Sequence, residues 1–272
     1  MRPRLGAPAL VWAAALIALS FLTLAVCGHQ LSPRNPDTQD LLLGASGPAP
    51  GHWLGTDELG RDILSRLMAA TGSALAGPFV VALAAMIAGT TLGLTAGYRG
   101  GLVDAIISRF ADLVWSLPGL LVAIVVIGVL QGGTWLSVAV IAFLSIPHAT
   151  RQTRSATLGQ VRLPYVAAAR TLGLARSRVI VRHILPNIRA TVLTTLLLDF
   201  VTAILIFAAL AFLRIGVEPG APNWGSMLAD GQSLITVNPF QMAAPAVAIV
   251  LFAASVTILG DWAHDTLTKD QQ

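Results

Sequence analysis

The side chains able to do chemistry are few and poorly grouped for catalysis. Cys27 is the sole cysteine, which excludes an intramolecular disulfide and a cysteine-rich metal site. No Gly-x-x-x-x-Gly-Lys-Ser/Thr phosphate loop occurs, so this chain is not expected to hydrolyse ATP itself. His29, His52, Asp57 and Asp62 form only a sparse set of possible ligands, and no metal is assigned to them. What remains is charge used for recognition. Between residues 151 and 189 lie Arg151, Arg154, Arg162, Arg170, Arg176, Arg178, Arg182 and Arg189, without one acidic residue. Such a segment rests on anionic lipid headgroups or docks on a protein. The second feature is a single acid, Asp199, set among Leu196, Leu197, Leu198 and Phe200. A carboxylate at that depth in a bilayer costs about 2.5–3.5 kcal/mol on insertion scales. Three readings fit it: a wall of a polar translocation path that meets a substrate's amino group, a helix end nearer the interface, or a hydrogen bond to another subunit.

The elements that position these charges are membrane helices. Of 272 residues, 55% are hydrophobic and 11% charged, against about 25% charged in soluble domains. Six apolar stretches, at roughly 9–27, 74–97, 113–130, 134–150, 190–213 and 241–260, approach the length that crosses a bilayer. The fourth is free of charge only from Thr134 to Pro147 and reads as either spanning or re-entrant. The first follows Arg2 and Arg4 as a secretory signal would, and Leu24 to Cys27 resembles a lipoprotein cleavage box with Val26 at the small-residue position. Its length favours an uncleaved anchor. With the amino terminus inside, the inside segments hold thirteen Arg and Lys, including Lys269, and the outside segments hold four: Arg34, Arg61, Arg66 and Arg214. That asymmetry places both termini in the cytoplasm. The expected fold is all-α, a polytopic membrane protein with six transmembrane helices. It divides into an N-terminal stub and anchor (1–28), an ordered extracytoplasmic segment (29–73), a transmembrane domain (74–260) with its loop at 151–189, and a cytoplasmic tail (261–272).

Inside the arginine-rich loop, Tyr165, Ala168, Ala169 and Leu172 recur at the spacing of one helical face, Pro164 suits a helix start and Gly173 a helix stop. A second helical piece is expected from Ser177 to Leu185, ending at Pro186. The pattern predicts a helix-turn-helix on the cytoplasmic face, with Ala168, Ala169 and Gly173 permitting close approach of a soluble partner and Arg170 making a polar contact. His183, with no second ligand nearby, reads as a capping or packing group. Trp224 reads as an interfacial anchor or part of a lid.

The stretch Tyr165-Val-Ala-Ala-Ala-Arg-Thr-Leu-Gly173, followed by His183-Ile-Leu-Pro186-Asn187, resembles the "EAA…G…HxLP" loop of permease subunits of binding-protein-dependent ABC importers. The segments His52 to Arg66, Gly97 to Asp104, Leu117-Pro-Gly119, Phe212 to Pro219, Asn223 to Gly231 and Leu259 to Asp265 are similar to the second, "C", permease subunit of the peptide and nickel branch. The resemblance implies a type I ABC importer permease fold in a bacterial cytoplasmic membrane and a coupling helix seated on an ATPase, carried here by Tyr165, Ala167, Ala168, Ala169, Arg170, Leu172, Gly173, His183 and Pro186. It further implies a homologous permease subunit, two ATPase domains that hold ATP and Mg, an extracytoplasmic solute-binding protein, surrounding lipid and no nucleic acid. No cofactor is expected in this chain. Dipeptides or short oligopeptides lead as cargo, with nickel, haem or a glycoside conjugate as alternatives; a non-transporting membrane scaffold or receptor is the reading from another class. The chain departs from the pattern where Ala167 replaces the glutamate of the loop. Near the end of the fifth span Phe207 stands at a glutamate position and Arg214 at a glycine, while Asp199 lies eight residues before Phe207, about two turns away.

Overall fold

A computed structural model describes residues 7–218 and 220–269. Arg2 and Arg4 and the side chain of Lys269, which enter the charge asymmetry, lie outside that description. Among the described residues ten α-helices follow one another: α1 (Ala7–Leu31), α2 (Ile63–Arg99), α3 (Gly101–Trp115), α4 (Gly119–Val129), α5 (Thr134–Val161), α6 (Pro164–Thr171), α7 (Arg176–Val179), α8 (Arg189–Phe212), α9 (Trp224–Asp230) and α10 (Phe240–Lys269). Among the described residues there is no strand, only isolated bridges within residues 46–62.

Among the described residues four helical runs are long and apolar enough to cross a membrane: residues 9–31, 63–99, 176–212 and 240–268. The stretch predicted at 113–130 is broken, because α3 and α4 meet at 74° around Ser116–Pro118, and the pair adds a fifth candidate if it counts as one span. The stretch predicted at 134–150 is the first half of α5, whose 28 residues reach about 42 Å. Arg151 and Arg154 in its second half keep it below the apolar composition of a span, so the expected count of six is not reproduced on these criteria.

Two helices start earlier than their apolar runs. α2 begins at Ile63 because Asp62 caps it, its Oδ2 accepting the Ser65 N–H at 2.9 Å and hydroxyl at 2.6 Å. The helical run that ends in α8 begins at Arg176. It does not stop at Pro186, since a π turn (Ile180–Ile184) and a 3-10 turn (Leu185–Ile188) shift the hydrogen-bond register and place Pro186 where its missing N–H is harmless.

The chain forms two compact units. In the first (Met1–Phe79, Ile124–Val138 and Val201–Leu259), Trp224 is a core residue rather than an interfacial one. Asn223 caps α9 through the Gly225 N–H, which turns the indole inward, where its N–H donates to the Leu67 carbonyl at 3.1 Å and its ring meets the edge of Phe21. The turn-rich segment before α2 is ordered around Asn238, whose Nδ2 donates to the carbonyls of Ser46 and Leu54, each at 2.9 Å.

In the second unit (Val80–Ala123, Ala139–Phe200 and Gly260–Gln272), Gly89, Gly93 and Gly97 repeat every four residues along α2 and let α5 lie against it. A Cβ on Gly93 would stand 2.7 Å from the Thr150 carbonyl oxygen, so any larger residue there forces the helices apart. This contact fixes α5, the helix that carries His148, Arg151 and Arg154.

Candidate functional site

The loop helix α6 starts where Pro164 supplies a preset φ and ends just before Gly173. Leu163 before it is extended, as a residue preceding proline tends to be. Gly173 has φ +74°, and nothing lies within 4 Å of a Cβ built there. Glycine is therefore required for the left-handed turn, as expected of a helix stop, and no neighbour within this chain would crowd a side chain there. The predicted helical face is also divided. Val166 and Ala169 point inward, into a cluster with Leu94 of α2, Val179 of α7, and Ile184 and Ile188. Ala167, Ala168, Thr171 and Leu172 point out, Leu172 at 81% exposure. Ala169 thus belongs to the anchor of the helix and Ala168 to its presented face. Val166 was the residue missed, and its place three residues before Ala169 was the available signal.

Around this helix the turn to α8 is tied by polar contacts. The Tyr165 hydroxyl donates to Gln160 Oε1 at 2.7 Å, and Asn187 Nδ2 donates to the His183 carbonyl at 2.6 Å. His183 thus takes part through its backbone. Burial raises the Tyr165 phenol above its ordinary value, opposed by the hydrogen bond from Asn187.

The eight arginines separate into two groups. Arg154 forms a bidentate pair with Asp104, with Nη2 to Oδ2 at 2.6 Å and Nε to Oδ1. Arg151 Nη2 donates to Asp112 Oδ1 at 2.6 Å and its guanidinium lies 5.2 Å from the centre of the Trp115 ring. Arg170 stacks on Tyr98 at 4.6 Å. The segment without acids therefore borrows its acids and aromatic rings from residues 98–115. Two successive left-handed glycines, Gly100 at φ +65° and Gly101 at +57°, turn the chain between α2 and α3. Arg162, Arg176, Arg178, Arg182 and Arg189 are exposed and have no ion pair among the described residues.

Asp199 sits in the interior of α8 at 5% exposure, which excludes the helix-end reading. Its Oδ1 is 2.7 Å from His148 Nδ1, while Oδ2 is buried without a hydrogen-bond partner among the described residues. His148 is stacked on Trp115, centroids 5.8 Å apart. Sequence reasoning missed His148 and Trp115, because 51 and 84 positions separate them from Asp199.

In the first unit several of the buried charges pair with each other. Asp57 accepts the N–H groups of Leu59 and Arg61 and the Arg61 Nε at 2.7 Å, and His52 meets Asp62 at 3.0 Å. Arg214 has φ +58°, a conformation that costs an L-residue about 1–2 kcal/mol, at the position where the resembled motif has glycine. Its guanidinium pairs with Asp230 at 2.7 Å.

Residues 89–271 match the family model described as "Binding-protein-dependent transport system inner membrane component". The chain belongs to this family. It is a permease component of a binding-protein-dependent ABC importer, a membrane transport subunit. The glutathione transport system permease GsiD of Pectobacterium atrosepticum is 36% identical to the permease over 94% of this chain and 85% of that protein. The dipeptide transport system permease DppC of Alkalihalophilus pseudofirmus is 34% identical over 93% and 83%. The probable D,D-dipeptide transport system permease DdpC of Escherichia coli K12 is 35% identical over 96% and 88%. The inward-facing MetNI methionine ABC transporter, in its native CY5 crystal form, superposes with a TM-score of 0.60 at 17% identity, covering 74% of this chain and 96% of that one. At that identity it shows the fold, that of a type I importer permease.

Proposed function

We propose that this permease imports dipeptides or short oligopeptides, pairing with a homologous permease subunit, and that α6 is its docking helix for an ATPase subunit. Both termini lie in the cytoplasm in this reading, and a solute-binding protein delivers cargo from outside. The peptide assignment takes its support from the cargo named for the relatives. The docking assignment rests chiefly on one observation: the apolar outer face of α6, Ala168 and Leu172, is exposed among arginines that have no acid of their own. Ala167 at the glutamate position leaves the surface cationic, which suits an acidic rim on the ATPase.

The inner face of α6 supplies the lever. Val166 and Ala169 share one buried cluster with α2, α7 and the π and 3-10 turns that lead into α8, with Ala156 of α5 and Val192 of α8 packed against it. Packed clusters shift as units rather than deform, so displacement of α6 by ATP-driven closure of the ATPases is transmitted to the helices it touches. ATP and Mg act on the partner subunits. α8 carries Asp199, whose free Oδ2 is the acceptor we assign to the ammonium group of passing cargo, with His148 holding the other oxygen. Asp199→Asn is expected to reduce uptake of peptides with a free amino terminus more than uptake of N-acetylated ones. Equal uptake of both, unchanged from wild type, removes Asp199 from the path.

Substitutions at Gly173 test the coupling role. Asparagine tolerates a left-handed turn and valine does not. ATP-driven uptake in proteoliposomes should fall in the order Gly, Asn, Val, with Gly173→Asp also inactive while the subunit remains in the membrane, because it places a carboxylate in the cationic docking surface. Full uptake by Gly173→Val and Gly173→Asp would remove the assignment.

A further inference from the structure

A cavity of about 370 Å³ in the first unit has no part in the coupling assignment. It is lined by Asp57, Glu58, Arg66, Arg214, Glu218 and Asp230 among others, and its volume falls in the range of small-ligand sites, roughly 300–1,000 Å³.

Arg66 is the unusual member. It is 3% exposed, and a cation so buried is ordinarily neutralised at contact distance. Its nearest carboxylate oxygens are Asp57 Oδ2 at 3.7 Å and Asp37 Oδ1 at 3.9 Å. Asp57 is committed to Arg61, and Asp37 is 63% exposed to solvent. The hydrogen bonds of Arg66 are long, 3.3 Å to the Pro36 carbonyl and 3.4 Å to that of Gly220. A buried guanidinium with donors weakly used and one wall of a cavity for its surroundings is a site built for an incoming anion.

Arg61 and Arg214 also line the cavity, Arg61 held by Asp57 and Arg214 paired with Asp230 at 2.7 Å, and the backbone of Arg214 carries independent weight. The turn at φ +58° is one that glycine makes without strain. The strained side chain is held by Asp230 through one nitrogen only and is 70% exposed, so its other donors are open to a ligand. Across the lining stand Glu58, hydrogen-bonded to Ser233, and Glu218, exposed and without an ion pair among the described residues. Both signs of charge in one small cavity select a ligand that carries both. A wholly anionic solute would meet four carboxylates, and a wholly cationic one would meet the buried Arg66.

We propose that this cavity is a cargo subsite for a zwitterionic short peptide, with the free α-carboxylate held by Arg66 and Arg214 and the ammonium group facing Glu218. The proposal rests on the peptide-import reading and deepens it, since it names the chemical groups the permease recognises. The probes are dialanine, dialanine amide and N-acetyl-dialanine, added to the complete importer in lipid nanodiscs, with thermal stabilisation read as binding. Dialanine should bind at least about tenfold more tightly than either blocked form. Arg214→Gly restores the residue that the turn favours, so it should fold as well as wild type while losing the preference over the amide. Arg66→Lys keeps the charge and removes the fork, and should weaken dialanine about tenfold. Equal binding of all three probes to wild type, or a preference unchanged in both variants, overturns the proposal. Uptake of labelled dialanine by the same complex, with its binding protein, separates the two readings. Uptake that ignores Arg66, Arg214 and end-blocking leaves peptide import standing and removes the subsite. Selective binding without uptake keeps a zwitterion-binding cavity but removes peptide import, and with it the cavity's role as a cargo subsite.

Discussion

Arg61 and Arg176 put the same side chain to opposite uses. Arg61 lies in the segment ahead of α2, 12% exposed, with its Nε 2.7 Å from a carboxylate that is itself 4% exposed. Arg176 lies at the head of α7, exposed and with no ion pair among the described residues. Around Arg61 the buried acids Asp57 and Asp62 already accept hydrogen bonds from their own segment, which orders the turns ahead of α2. Around Arg176 the acids are absent, and the cations stay available to another molecule. Charge closed on itself builds the fold; charge left open is what the docking proposal draws on.

Breaking the closed region should do the most damage to stability. Arg61→Gln leaves Asp57 buried beside only the distant Arg66, and removal of one partner from such a pair costs about 3–5 kcal/mol. Thermal unfolding of the purified subunit should show it, and unchanged melting would mean that the pair does not organise the segment. Arg154→Gln, in the half-open pair with Asp104, should cost about 1.5–3 kcal/mol, since hydrogen bonds to charged groups are lost from partly exposed partners. Exchanging the two residues, Arg154→Asp with Asp104→Arg, should recover part of that loss. Replacing Arg176, Arg178 and Arg182 together by Gln should change stability least, within about 0.5 kcal/mol each. The same triple variant should weaken retention of the ATPase subunit in a salt-dependent manner, as open surface charges do. A triple variant that melts early, or one that retains the ATPase at every salt concentration, would erase the contrast between the regions.

The open region was far more readable in the sequence than the closed one, for a physical reason. Pro164 and Gly173 act on their own backbone, so the limits of α6 follow from two residues. The lack of acids between 151 and 189 is likewise a local fact. The partners of Arg154 and Arg151 lie 50 and 39 positions away, and His148 lies 51 from Asp199, so only tertiary structure brings them together. Which face of α6 is presented was misread in part because alanine is equally at home inside and outside. Val166 in the Leu94–Ile188 cluster settles the direction, and Ala169 follows it inward. Trp224 was misplaced because tryptophan in a membrane protein suggests an interface, whereas the Asn223 cap rotates it into the core. The early start of α2 was hidden by Ser65 and Arg66 in its first turn, where Asp62 caps the helix by accepting from Ser65.

Cross-linking at Leu172 tests the docking assignment most directly. The native Cys27 is replaced by Ala, a single cysteine is placed at Leu172, exposed at the end of α6, and a second is placed in a parallel variant at Trp53, 74% exposed in the closed region. With the complete importer in membranes, Leu172→Cys should form a short-range cross-link to the ATPase subunit whose yield changes on adding ATP, and Trp53→Cys should form none to that subunit. A cross-link from Trp53→Cys and none from Leu172→Cys would contradict the assignment of α6 as the surface through which ATP-driven motion enters the permease.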